Sequence, residues 1–239
     1  MGYKIDFKFD DLKKIYLEYK KKFKSNTYKY VSEILKDAKK FHKKAFFNSE
    51  DVKNAIKKGK NVDHEQSWRA FKGKNFEKLI QYIIENQVKL LNLEIINGNI
   101  LERSKNLSED LSKVKRNLAI DYGEFGLHLP DVDIVIYNPK TYDVIAVISA
   151  KVTLRERIAQ TGYWKLKLKQ DKVTENIKVY FITPDEDGTL THKKPTKKGR
   201  AIVEVDLDGS YILTKERVEE DNKVKTFDKF IKDLKKIIK

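Results

Sequence analysis

Two aspartates, Asp131 and Asp133, open an apolar run from Ile134 to Tyr137, and a second run from Val144 to Ala150 ends on Lys151. Asn138-Pro139-Lys140-Thr141 between them has the composition of a turn, so the pair reads as a β-hairpin. Alternate residues of a strand share a face, which groups Asp131 with Asp133 and Ser149 with Lys151. This arrangement brings carboxylate and ammonium together beside a phosphodiester. Hydrolysing that bond calls for a divalent cation to polarise the phosphoryl oxygen and acidify an attacking water. Carboxylates suit hard Mg²⁺, which keeps several of its own waters. A tight turn at Pro139-Lys140 sets Ser149 opposite the Asp131 end and favours Asp131 over Asp133 as the main ligand. A one-residue shift in register moves that assignment, so the choice stays open. Lys151 then orients or deprotonates the water and screens the developing charge. The competing reading is an ordinary surface hairpin. Against it, Val144-Ile145-Ala146-Val147-Ile148 is a nearly unbroken apolar run, as a strand covered on both faces requires, so Lys151 emerges from a central strand.

The elements that must hold this hairpin can be read from periodicity. Leu12, Ile15, Tyr16, Tyr19 and Phe23 recur at helical spacing over 10–23, and 28–47 repeats the pattern. Residues 48–62 are polar, contain Gly59 and read as a boundary, which divides the chain into a basic helical region, 1–62, and a larger domain, 63–239. A broad stripe through Phe76, Leu79, Ile80, Ile83, Ile84, Val88 and Leu91 predicts a buried helix over 71–91. Residues 97–112 read as loop and 118–128 as extended. Thr153 with Glu156 has a capping-box spacing that starts a helix over 153–169. Residues 179–183 and 201–207 read as strands, and 227–238 as an amphipathic helix.

Composition restricts the class. The chain has 239 residues, 40% of them apolar, and no cysteine, so disulfides and thiolate chemistry are excluded. Its four histidines are too scattered to read as a zinc site. The opening residues lack the apolar core of a signal peptide, and no run is long enough to span a bilayer; a cytoplasmic prokaryotic protein is expected. The net charge is +15, of which +10 lies in residues 1–60, where 18 lysines face 8 acids. Nucleic acid is the polyanion such a surface attracts, although the same lysine bias fits a thermophile or an AT-rich genome. Only seven of the 51 basic residues are Arg, and two of them, Arg155 and Arg157, follow the hairpin. Arg offers a rigid fork of donors that Lys lacks.

Pro130-Asp131, Ser149-Ala150-Lys151 and Arg155-Glu156-Arg157 together resemble the PD-(D/E)XK nucleases, and within them the type II restriction endonucleases of the CCGG group. The BsaWI-like branch, with helices ahead of its catalytic domain, is the most similar. The resemblance implies an α/β fold, a PD-(D/E)XK core with a central mixed sheet flanked by helices, preceded by an N-terminal helical region. It implies an Mg²⁺-dependent, sequence-specific endonuclease that cuts double-stranded DNA as a homodimer. Arg155, Glu156 and Arg157 become the readers of a CCGG core, since Arg pairs bidentately with guanine O6 and N7 and Glu accepts from cytosine N4. Glu77, on the helix ahead of the hairpin, becomes a metal ligand beside Asp131 and Asp133. One departure stands out: where the group carries an acid three to four turns after the lysine, this chain has Trp164 and Lys165. Either Glu77 fills that role or another acid does, Glu156 among them. A structure-specific nuclease of the same fold and a non-catalytic DNA-binding relative are the competing readings.

Overall fold

A computed structural model describes residues 3–153 and 157–238. Contacts divide the chain into two compact units, 1–79 and 80–239. The division falls inside the helix over His64–Lys89.

The first unit is helical. It contains α1 (Phe9–Phe23), a 3-10 segment over Lys24–Tyr30, α2 (Val31–Asn48), α3 (Glu50–Lys57) and the first part of α4 (His64–Lys89). Asp11 accepts the Lys8 backbone N–H at 2.9 Å at the start of α1, while Lys20, Lys21 and Lys22 sit at its end, both favourable to the helix dipole. Leu12, Ile15, Ile34, Leu35 and Phe46 are buried. His42 Nδ1 lies 3.2 Å from His64 Nε2, packed among Phe7, Trp68 and Phe71. The stretch read as a polar boundary carries α3, which buries Val52 and Ala55 on one face.

The second unit is built on a six-stranded mixed sheet. In chain order it runs β1 (Glu94–Asn97), α5 (Gly98–Arg103), α6 (Glu109–Leu118), β2 (Ile120–Asp121), β3 (Leu127–His128), β4 (Ile134–Tyr137), β5 (Val144–Ala150), α7 (Arg157–Leu168), β6 (Lys178–Thr183), α8 (Lys198–Asp206), β7 (Gly209–Ile212), β8 (Val224–Thr226) and α9 (Phe230–Ile237). The strand order is β1-β4-β5-β6-β7-β8, with β2 and β3 forming a separate ribbon. β1, β4 and β5 pair antiparallel; β5 through β8 pair parallel. β5 is thus central, as its apolar run requires, and α7 and α8 are the crossovers of its parallel half.

Two expectations fail here. Residues 97–112 are not loop: Asn97 accepts from Asn99 N to cap α5, and Ser108 accepts from Leu111 N to cap α6, which buries Val114 and Leu118. Residues 201–207 are not a strand. An alternating strand would bury Val205 with Val203, yet Val205 is 74% exposed while Arg200, Val203 and Leu207, spaced three and four apart, are buried.

Candidate active site

Asp133 stands just before β4, clamped through its backbone. Its N–H donates to Ile148 O at 3.1 Å and its carbonyl accepts from Gly98 N at 2.9 Å. The second contact demands glycine, because a Cβ at position 98 would lie 1.9 Å from the Val132 carbonyl oxygen. Asp133 is 3% exposed, and both of its carboxylate oxygens are engaged. Oδ2 accepts the Ala150 N–H at 2.7 Å, and Oδ1 accepts Lys151 Nζ at 2.6 Å. Lys151 is fixed from its other side, its backbone N–H donating to Ile182 O of β6 at 3.1 Å. Carboxylate and ammonium therefore meet at the end of the central strand in a short, charge-assisted bond whose geometry is set by three strands.

The expected pairing of Ser149 with the Asp131 end is displaced by two residues. The β4–β5 connection spans 138–143, and a bulge between Ile136 and Tyr137 adds a residue to β5. With Ile134 opposite Ile148, the next step sets Asp133 opposite Ser149. The shift is even, so the face is preserved and the aspartate against Lys151 is Asp133, not Asp131. Asp131 is exposed at the mouth, its Oδ2 accepting from Gln160 Nε2 of α7 at 2.9 Å. Ser149 is buried.

Arg157, at the start of α7, is exposed and reaches Gln160 Oε1 at 3.5 Å. Arg155 and Glu156 lie outside the described residues, as does the Glu156 half of the expected capping box. Glu77 is half-buried on α4, within the first unit. Lys165, at the position where the resemblance leads one to expect an acid, is 3% exposed: Nζ donates to Ile177 O at 2.8 Å and pairs with Asp208 Oδ2 at 2.7 Å. Burial pushes its ammonium below the ordinary lysine range, and Asp208 opposes that shift. Lys165 is held in a structural ion pair with Asp208. Sequence reasoning misses Gln160, whose only signal is its helical phase with Arg157.

Residues 110–237 match the family model described as BsaWI restriction endonuclease type 2. The chain is 43% identical over 179 residues to MjaVIP of Methanocaldococcus jannaschii, a candidate type II restriction enzyme, covering 73% of this chain and 78% of that one. This chain belongs to the BsaWI family of type II restriction endonucleases. A second relative, HpyAORF263P of Helicobacter pylori, a probable type II restriction enzyme by name, is 38% identical over 125 residues, 52% of this chain and 64% of its own. The solved AgeI–DNA complex aligns over 98% of this chain and 94% of its own with TM-score 0.51 and 13% identity, which establishes the shared PD-(D/E)XK fold. A BsaWI–DNA complex aligns over 97% and 91% with TM-score 0.43 and 14% identity. The enzyme is a site-specific endodeoxyribonuclease, a class that uses divalent metal ions. No helix among its described residues is long and apolar enough to cross a membrane.

Proposed function

We propose that this endonuclease is Mg²⁺-dependent and cuts double-stranded DNA at a site with a CCGG-like core, acting as a homodimer. The observation that carries the chemistry is the Asp133–Lys151 contact at the end of β5, with the Asp131 carboxylate two residues away. Among the described residues no three acidic or histidine side chains converge as a metal cluster. The donor set still fits Mg²⁺, which binds through one or two carboxylates and retains waters. Asp133 is the main ligand in this reading, with Asp131 at the mouth. Glu77 enters as a further ligand from the family resemblance alone, and Mg²⁺ titration of Glu77→Ala tests it. When bound, the cation polarises the phosphoryl oxygen and acidifies its water. Lys151, held by Asp133, orients that water and faces the developing negative charge.

Recognition is assigned to Arg155, Glu156 and Arg157. The support is their spacing after Lys151 and the exposure of Arg157 at the start of α7. Cutting both strands needs two sites, hence a dimer whose two-fold axis matches a palindromic sequence. The deciding experiment is a plasmid digest with Mg²⁺ and sequencing of the ends. Discrete fragments centred on CCGG support the reading, and Arg155→Lys or Arg157→Lys should then cost about 1–3 kcal/mol of discrimination at one base pair. Cleavage confined to branched DNA, or binding without cleavage, overturns it.

A further inference from the structure

Arg200 is the largest fully buried side chain among the described residues, and neither catalysis nor base reading uses it. Its Nε pairs with Glu204 at 2.7 Å, its Nη1 donates to Leu190 O, and its Nη2 donates to Glu219 O and to Asp221 Oδ2 at 2.8 Å. A second buried charge, Asp185, lies in the loop that leads from β6 into α8. The Asp185 carboxylate accepts the N–H groups of Thr189, Leu190 and Thr191 and the Thr191 hydroxyl. Burying ionised groups is costly, and two of them converging on one loop fix its shape.

What they hold is the exposed segment 192–198, with His192, Lys193, Lys194, Lys197 and Lys198. No acidic residue occurs between Asp187 and Glu204. Lys193 Nζ lies 3.8 Å from Asp221 and Lys197 Nζ donates to Asp187 O, while Lys194 and Lys198 form no ion pair among the described residues. The loop also has a definite place. It follows β6, whose Ile182 carbonyl holds the Lys151 N–H. At its far end a Cβ on Gly199 would come within 3.0 Å of Ile158 Cδ1, so the first turns of α8 and α7 lie side by side. Lys198 therefore neighbours the start of α7, where Arg157 sits.

We infer that the 192–198 loop is a preformed phosphate-contacting arm, through which Lys194 and Lys198 grip the DNA backbone next to the bases read from α7. This rests on the DNA-cleaving reading above and adds to it a surface that positions the duplex without reading sequence.

The test measures binding of a fluorescent duplex to the full-length enzyme without Mg²⁺, across a salt series. Lys194→Ala/Lys198→Ala should weaken binding to every sequence by about 10-fold or more and flatten the salt slope by about 0.9 for each phosphate no longer neutralised. The control, Lys232→Ala/Lys235→Ala on α9, removes the same charge from positions elsewhere and should leave the slope unchanged. Equal losses in both doubles, or none in the first, overturn the arm. Wild-type enzyme that binds duplex but never cuts sinks the catalytic reading while leaving the arm measurable.

Discussion

Gln160 Nε2 of α7 donates to Asp131 Oδ2 at 2.9 Å, so the amide of one helix holds the carboxylate at the mouth of the hairpin. Arg157, one turn earlier, reaches the oxygen of the same amide at 3.5 Å, so Gln160 links the start of α7 to Asp131. Gln160→Ala should lower single-turnover cleavage about 10-fold, in line with ~1.5 kcal/mol for a bond to a charged group, with binding little changed. Wild-type cleavage by this variant would show that the contact positions nothing.

At the strand end, Asp133→Asn and Lys151→Ala should each reduce cleavage by at least about 100-fold, as loss of a group acting on the attacking water does. Asp131→Asn should be the milder change, because Asp131 is exposed and bonds the Gln160 amide. Parallel rate measurements on purified, folded variants decide it; the opposite ranking would move the main ligand to Asp131.

Gly98 is a packing constraint on the same site. Gly98→Ala drives a methyl group into the Val132 carbonyl, and the expected cost is about 1–3 kcal/mol or more of stability together with reduced activity. Urea melts and cleavage rates measure both. A variant as stable and active as wild type would mean that the approach of β1 to the Asp133 segment is looser than 1.9 Å implies.

Lys165→Ala empties a buried position and leaves Asp208 with Lys178 Nζ at 3.8 Å and the Val179 N–H, and should destabilise by about 1–3 kcal/mol. Lys165→Glu, which installs the acid that the family resemblance leads one to expect, should be worse, since it sets two carboxylates together. If thermal melts find Lys165→Glu stable, and its Mg²⁺ requirement is sharpened, Lys165 occupies a ligand position after all.

Acid should loosen the first unit. Burial chiefly, then His64, lowers the His42 pKa from 6.5 to about 4. The folded state therefore favours neutral imidazole, while the unfolded chain takes up a proton below about 6.5. Stability conferred by neutral His42 is complete above that pH and drains away as pH falls from 6.5 towards 4. Trp68, whose ring centroid is 5.4 Å from that of His42, reports it by fluorescence. His42→Leu should flatten the dependence; an unchanged pH profile would assign the acid lability to other groups.

Much of this is legible in the residues because period and composition agree where elements are long. α1, α2 and α4 announce themselves by helical stripes, and β5 by an apolar run that only a central strand tolerates. The aspartate assignment is harder. Face follows from alternation, but register depends on connection length, and a six-residue turn with a bulge is invisible in a stretch that looks like a tight hairpin. α8 misleads because Val203, Val205 and Leu207 alternate; the Arg200–Glu204 spacing is the contrary signal. Buried Arg200 and Lys165 are unreadable, since nothing in a lysine-rich sequence marks which cations the fold will enclose.

The Lys151 N–H to Ile182 carbonyl bond makes the site depend on a strand that lies outside the hairpin. During synthesis the β4–β5 hairpin leaves the ribosome well before β6 (Lys178–Thr183). Without β6, β5 is an open sheet edge and the Lys151 N–H loses its Ile182 acceptor. A chain truncated before β6 would therefore leave the apolar β5 strand unpaired along one edge, a surface suited to aggregation, and would lack one of the backbone bonds that fix Lys151.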